Sequence, residues 1–328
     1  MGRFASCHCA DFSPSPSGVP AEQVGQSHTY SLGLLARRIT RLAGVVAGAA
    51  AVVGCGPNGA ETASPSERFT APDSVRIGPQ GAEGQFAVDC AFDQFLADDP
   101  IVHPDAAGAS HLHQFFGAVG VHASSRYAEL VSGETTCEQR LDTASYWTPV
   151  LLDPEFEPIE PLMATAYYRV AEGVDPGVVV PYPADFMAVA GDHTAIEPQP
   201  LSVVAWSCDT GSVRSATPPD CTAGTTLRLM ITFEDCWDGE HLRSPIVSEP
   251  ARHVAYSAAG ACPDTHPVHI PQLQLAVMFP AIPPEDLSLS SGSILSGHAD
   301  FWNAWQQDKL EREVTSCLHL NLPCKITG

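Results

Sequence analysis

The sequence predicts a mainly β fold: an antiparallel sandwich or jelly roll with peripheral helices, cross-linked by disulfides. Three observations predict it. The 328 residues include 29 prolines, and a break at roughly every tenth residue leaves room for short strands and little for long helices. The segments between the breaks are short and rich in Val, Leu, Ile, Tyr and Phe, as strands are. Eight cysteines follow residue 55, an even number that suits the disulfide framework of an exported chain.

The expected strands run in order through 85–88, 146–152, 164–170, 178–180, 186–190, 201–207, 226–233 and 274–279. The segment 226–233 alternates best. Leu227, Leu229 and Ile231 share one side, and Arg228 and Thr232 the other, which marks a strand with one face in a core. One helix is expected from Phe301 onward. Trp302, Trp305, Leu310, Val314 and Cys317 recur there at helical spacing, and Asp300 stands where an N-cap is wanted.

Four segments organise the chain. Arg37, Arg38 and Arg41 precede a 13-residue apolar run, 42–54, that ends in small residues. Residues 31–55 therefore read as a signal peptide of the bacterial lipoprotein type, its run too short to span a bilayer. Cys55 is the expected lipidation site, since its thiol carries the lipid as a thioether; the anchor would be the chain's contact with a membrane. Ordinary secretion is the alternative. Residues 1–30 precede that signal and fit no part of it. No methionine lies between Met1 and Met163, so the expectation is a start near Val24, Leu32, Leu34 or Leu35, with 1–30 a doubtful extension. Residues 56–84, rich in Gly, Pro, Ser, Ala and Glu, read as a flexible tether. Residues 85–328 then form one domain by length.

The eight cysteines are Cys90, Cys137, Cys208, Cys221, Cys236, Cys262, Cys317 and Cys324. They allow on the order of 100 connectivities. Pairing each with its nearest neighbour in sequence is the simplest choice. Zinc ligation competes, but no Cys-x-x-Cys pair is present.

Residues 1–54 carry four arginines and two carboxylates, so the remainder has 12 basic and 36 acidic side chains, a net charge of −24. A field of that sign repels nucleic acid and anionic surfaces. Nucleic acid is thus excluded as a partner, and solubility outside the cell is the plain reading of the charge. Gly-x-Ser-x-Gly, Walker A and dinucleotide-binding signatures are absent from the sequence.

The stretch Ser110-His111-Leu112-His113-Gln114-Phe115-Phe116-Gly117 carries the most chemistry. Two histidines one residue apart in an extended run project to one side, and imidazole is both the commonest metal ligand and the usual acid/base group near neutral pH. His103 and His122 flank the run. Ordered segments extend the pattern: Asp99-Pro100-Ile101-Val102, Ser145-Tyr146-Trp147-Thr148-Pro149, Met187-Ala188-Val189-Ala190-Gly191, Trp206-Ser207-Cys208, Phe233-Glu234-Asp235-Cys236-Trp237-Asp238-Gly239, His253-Val254-Ala255-Tyr256 and His298-Ala299-Asp300-Phe301. In this order they resemble DUF1996, a secreted family of bacteria and fungi, over about residues 88 to 317. The family name records an unknown function, so the resemblance implies an exported domain and little chemistry. Three departures stand out. Asp105 and Ala304 occupy positions where the family usually has glycine. The stretch before His253 lacks a second histidine common in the family.

The candidate catalytic residues are His111, His113, His298, Asp300, Asp238 and His253. His111, His113 and His298 are the candidate ligands of a divalent metal, and Asp300 or Asp238 the carboxylate partner that orients an imidazole. Asp238 with Asp300 would also be the pair that glycoside cleavage requires. The plain alternatives are an N-cap for Asp300, a turn for Asp238 and backbone-bonded histidines. Tyr146, Trp147, Trp237 and Trp302 are the candidate sugar-stacking surfaces, with core packing as their alternative; Tyr168 and Trp305 belong to the same group. These readings lead to an exported hydrolase or lyase acting on extracellular polysaccharide, or to a non-catalytic module binding glycan or metal.

Overall fold

The computed structural model describes residues 84–209, 211–244 and 252–325. The expectations for the extension, the signal peptide, Cys55 and the tether up to residue 83 lie outside the described residues. The fold is mainly β. In chain order the strands are β1 (Gln85–Cys90), β2 (Phe92–Leu96), β3 (His113–Gly117), β4 (Ser145–Pro149), β5 (Leu151–Leu152), β6 (Met163–Arg169), β7 (Met187–Gly191) and β8 (Val204–Cys208). They continue with β9 (Thr226–Thr232), β10 (Cys236–Trp237), β11 (Val254–Ala255), β12 (Val268–His269), β13 (Gln272–Pro280), β14 (Ser288–Leu289), β15 (His298–Trp302) and β16 (Pro323–Lys325). Helix α1 spans Tyr127–Ser132 and α2 spans Gln307–Glu313.

Two large sheets build the molecule. One has the order β16-β1-β6-β13-β9-β8, the other β2-β3-β4-β15-β7. All these neighbours are antiparallel except β1 and β16. The alternating positions that face between the sheets form one core. Phe86, Tyr168, Leu229 and Leu275 come from the first sheet, and Phe116, Tyr146, Ala188 and Phe301 from the second. Aromatic rings lock it: Phe86 stacks on Tyr168 at 4.7 Å, and Tyr146 on Phe301 at 5.5 Å between centroids. This is the sandwich arrangement expected from short alternating strands.

The outer side of the five-stranded sheet is covered as well. Phe115, Trp147, Met187 and Trp302 on that side pack against Ile101 and Val121 from loops and Leu130 from α1. The loop between β2 and β3, together with the segment between β3 and β4 that carries α1, thus roofs the second sheet.

Disulfides join Cys90 to Cys137, Cys208 to Cys221, Cys236 to Cys262 and Cys317 to Cys324. Each is worth about 2–4 kcal/mol through restriction of the unfolded chain. Four such bonds belong to an oxidising compartment outside the cytoplasm. No helix among the described residues is long and apolar enough to cross a membrane.

Several expectations are corrected. Asp300 does not cap a helix: it lies inside β15, bonded on one side to β4 and on the other to β7. The chain leaves the sheet at Asn303, whose amide donates to the carbonyls of Tyr182 and Pro183, and the helix begins only at Gln307. Residues 178–180 do not form a strand. Pro176 starts a 3-10 turn there, and the Asp175 carboxylate accepts the Gly177 N–H. The run 146–152 is split at Val150, whose N–H turns to Leu112 O and Ser290 Oγ. Strand β2 and helix α1 have no counterpart among the expected elements.

Candidate metal centre

Sheet register assembles the site. His113 pairs with Pro149. Trp147, two residues earlier on β4, pairs with Phe115 on one side and Asp300 on the other. His298 therefore comes level with Pro149 in the row above Asp300, and it pairs with Gly191 on its far side. The row reads His113, Pro149, His298, Gly191, so the two histidines face each other across a proline that carries no polar side chain. Gly191 has φ of +86°, and a Cβ there would lie 2.5 Å from the Gly297 carbonyl oxygen. Only glycine allows the chain this close to His298.

His111 enters from the turn just before β3. Its ring centroid is 4.3 Å from that of His113 and 5.0 Å from that of His298. His111 Nε2 and His298 Nε2 are 3.1 Å apart. One donor atom from each of His111, His113 and His298 falls within 4.8 Å of the other two. Residues 187 positions apart in sequence thus close around one point.

The hydrogen bonds behind the rings fix which nitrogens face that point. His113 Nδ1 is 3.0 Å from the Asp98 carbonyl oxygen, and His298 Nδ1 is 2.9 Å from that of Ser296. A carbonyl oxygen only accepts, so both Nδ1 atoms carry the proton and both Nε2 atoms are left with lone pairs. His113 Nε2 is buried and has no hydrogen-bond partner. Burial holds the rings neutral. It pushes the imidazolium pKa of His111 down to about 4, that of His298 to about 3, and that of His113 well below the ordinary range. Neutral imidazoles with Nδ1–H anchored on carbonyls are the prepared form of metal-ligating histidines.

The roof is tied down by Asp98 and Asp99. Asp98 accepts the N–H groups of Gly108 and Ala123, and Asp99 Oδ1 those of Ile101 and Val102. Beneath the trio, Asp300 is fully buried, and neither of its oxygens has a hydrogen-bond partner. Burial, then the neighbouring Asp99 carboxylate, drive its pKa well above the carboxylate range. Asp99, His113 and Asp300 form a second trio with donor atoms within 4.8 Å of one another. At the mouth, exposed His193 has its ring 6.0 Å from that of His298.

The remaining candidates fall elsewhere. His253 donates to or accepts from Ser244 Oγ at 2.9 Å, and its ring lies against Phe186 at 5.0 Å. It is a core histidine, held neutral by burial with its pKa pushed down to about 4. Asp238 is a turn residue. It accepts the N–H groups of Glu240 and His241 and pairs with the His241 ring at 2.7 Å, and Gly239 follows at φ +82°. Its side-chain bonds are all local. His103 and His122 are both exposed, and the His122 ring accepts the Ser124 N–H.

The aromatic residues are also corrected. Tyr146 and Trp147 are fully buried, and Trp302 is 3% exposed. The Tyr146 hydroxyl meets Asp142 and Tyr168, Trp147 stacks on Phe115, and the Trp302 indole donates to Asp185. Tyr168 and Trp305 are buried too. Half-buried Trp237 donates to the His241 carbonyl and sets its edge on Phe186. The first three are core residues because the loop roof and the opposite sheet cover both sides of β4 and β15, and no sugar ring can reach them.

Asp99 and His193 were not singled out as site residues by the sequence. Asp99 stood in the family-like segment Asp99-Pro100-Ile101-Val102 with no role of its own, and His193 had no signal.

A family model described as a domain of unknown function, DUF1996, matches residues 99–305. No curated protein and no solved structure matches the chain.

Proposed function

We infer that this chain, which belongs to the DUF1996 family, is an exported metal-binding protein whose trio of His111, His113 and His298 holds a divalent transition-metal ion. One observation carries the reading. The Nδ1–H groups of His113 and His298 are anchored on backbone carbonyls, which turns their Nε2 lone pairs toward one another and toward His111. Two nitrogens about 2.0–2.1 Å from one zinc ion lie roughly 3.0–3.4 Å apart when they subtend an angle between about 95° and the tetrahedral value. The 3.1 Å between His111 Nε2 and His298 Nε2 fits that span.

Three protein ligands leave one coordination position for water, the arrangement of catalytic rather than structural sites. Bound there, a metal ion supplies Lewis acidity and a water whose pKa falls toward about 7. The residues of this chain hold the imidazoles neutral and oriented, and the loop over β3 shields the inner side. The half-buried His111 marks the side open to a substrate. The reaction class is metal-assisted hydrolysis or elimination on an extracellular polymer, with polysaccharide as the substrate class suited to an exported enzyme. Lipid attachment at Cys55 is part of the same proposal.

A second reading is a metal-binding module without turnover. The burial of Tyr146, Trp147 and Trp302 favours it, because it removes the aromatic platform that glycan contact commonly uses.

Elemental analysis of the purified protein tests the metal. Stoichiometric zinc, copper or manganese, lost in a His111→Ala/His113→Ala double variant, is the expected result; no bound metal after dialysis against these ions overturns it. A screen of polysaccharides then separates the readings. Release of new ends or of substituent groups identifies the enzyme, and metal binding without product identifies the module.

A further inference from the structure

We propose that the recess holds two cations, with a second, inner position formed by Asp99, His113 and Asp300. The inference rests on the reading of the histidine trio as a metal site.

The argument starts from Asp300. It sits in the middle of β15, in one row with Phe115, Trp147 and Val189. That row is the outer face of a sheet, roofed by apolar side chains. A carboxyl group at such a position loses its hydration, and burial without hydrogen bonds is costly. The usual remedies are missing at Asp300. No N–H or O–H reaches either oxygen, and the adjacent Trp147 indole nitrogen is itself without a partner. The charged group that acts on Asp300 is another carboxylate, Asp99, fixed by two backbone N–H groups on Oδ1. Two buried carboxyl groups and the His113 ring converge, with one donor atom of each within 4.8 Å of the others, and the Nε2 of that ring has no hydrogen-bond partner. A divalent cation satisfies all three at once, and no hydrogen-bond donor of the described residues does.

His113 is common to both trios, and its single Nε2 lone pair serves one ion. The two positions therefore divide the donors. The inner ion takes His113, Asp99 and Asp300, a nitrogen and two oxygens. The outer ion, held by the whole histidine trio when it is bound alone, keeps His111 and His298 once the inner position is filled, with exposed His193, its ring 6.0 Å from that of His298, as the further imidazole at the mouth. Cation pairs that act on one substrate stand about 3.5–4 Å apart, a spacing compatible with trios that share a residue. The inner oxygen-rich position suits Mn²⁺ or Zn²⁺, and the outer nitrogen position Zn²⁺, Cu²⁺ or Ni²⁺.

The experiment is a titration of the metal-stripped full chain with Zn²⁺ alone, read as equivalents retained against a chelator, in wild type, Asp300→Asn and His111→Ala/His298→Ala. Asn is isosteric with Asp, and circular dichroism of each stripped variant checks folding; Asp99→Asn stands in for any variant that fails it. The expected result is two equivalents in wild type and one in each variant, with a metal-induced rise in Tm that is roughly halved in Asp300→Asn. One equivalent in wild type, unchanged in Asp300→Asn and lost in the double histidine variant, overturns the inner position and leaves the histidine site standing. Two equivalents that survive Asp300→Asn place the second ion elsewhere and also overturn it. One equivalent lost in both variants means a single shared ion and overturns the pair. No retained zinc in wild type overturns both readings.

Discussion

His113 and Asp300 lie on different strands with β4 between them, yet one donor atom from each falls within 4.8 Å of the other and of Asp99. The contact links the histidine layer at the mouth of the recess to the acid layer beneath it. It follows from register: His113 stands level with Pro149 and Asp300 level with Trp147, adjacent rows on one face of the sheet.

The first prediction concerns the histidine that sheet pairing delivers. His298→Ala removes one of three ligands and leaves the Ser296 carbonyl with only the longer bond from the Ser291 hydroxyl, 3.4 Å. Zinc affinity should fall at least 100-fold, since losing a group that only orients a ligand is typically worth 10–100-fold. Competition with a chromophoric chelator measures it. An affinity within threefold of wild type would show that His298 is not a ligand.

Gly191 should be intolerant of a side chain. Its φ of +86° costs an L-residue about 1–2 kcal/mol, and a Cβ would also meet Gly297 O at 2.5 Å and His298 Cα at 2.9 Å. Gly191→Ala is expected to lose about 2–4 kcal/mol in all when the clash is added. Because the clash falls on His298, zinc affinity should drop with stability. Urea denaturation and the same chelator assay give the two readouts. A variant with wild-type stability refutes the close approach.

Much of this arrangement was legible in the sequence, and the gaps have physical causes. The core strands announced themselves because proline breaks and apolar alternation coincide, as in β9 with Leu227, Leu229 and Ile231 buried in the core. Strand β15 did not. His298, Asp300 and Trp302 fit a period of two, but Trp302, Trp305 and Leu310 fit a helical period, and only pairing with β4 and β7 decides between them. All three members of the trio were candidates from the sequence, and two of them, His111 and His113, stood out by a spacing that is local. The trio's closure by His298 needed the order of strands in the sheet. Asp99 had no role assigned because nothing local brings it to His113 and Asp300, and the fate of Tyr146 and Trp147 depends on which faces the roof covers.

Trp147 provides a test of that last point. It is fully buried, and its ring stacks on Phe115 at 5.3 Å. Trp147→Ala should destabilise the domain by about 3–5 kcal/mol, the usual cost of emptying a buried aromatic position. Thermal unfolding should register it. A variant with unchanged Tm that lost only glycan retention would restore the sugar-stacking role.

Asp142 predicts a pH dependence of stability remote from the metal recess. The side chain is fully buried, accepts the Ala144 N–H and meets the Tyr146 hydroxyl at 2.9 Å. Burial outweighs those two bonds and raises its pKa to about 8, against about 3.9 in an unfolded chain. Between these values the folded state holds a proton that the unfolded state has released. Stability is therefore greatest below about pH 4 with respect to this group and falls as pH rises, by at most about 1.4 kcal/mol per unit. Above pH 8 both states are ionised, and the decline ends. Asp142→Asn cannot ionise and keeps an acceptor for the Ala144 N–H. It therefore lacks this group's decline between about pH 5 and pH 7 (endpoints about one unit inside the window) while the other titrating groups act on both proteins alike, so the gap between variant and wild type shifts in the variant's favour as pH rises. Urea unfolding of both proteins across that range measures the gap, and parallel profiles would mean that Asp142 is ionised in the folded domain throughout.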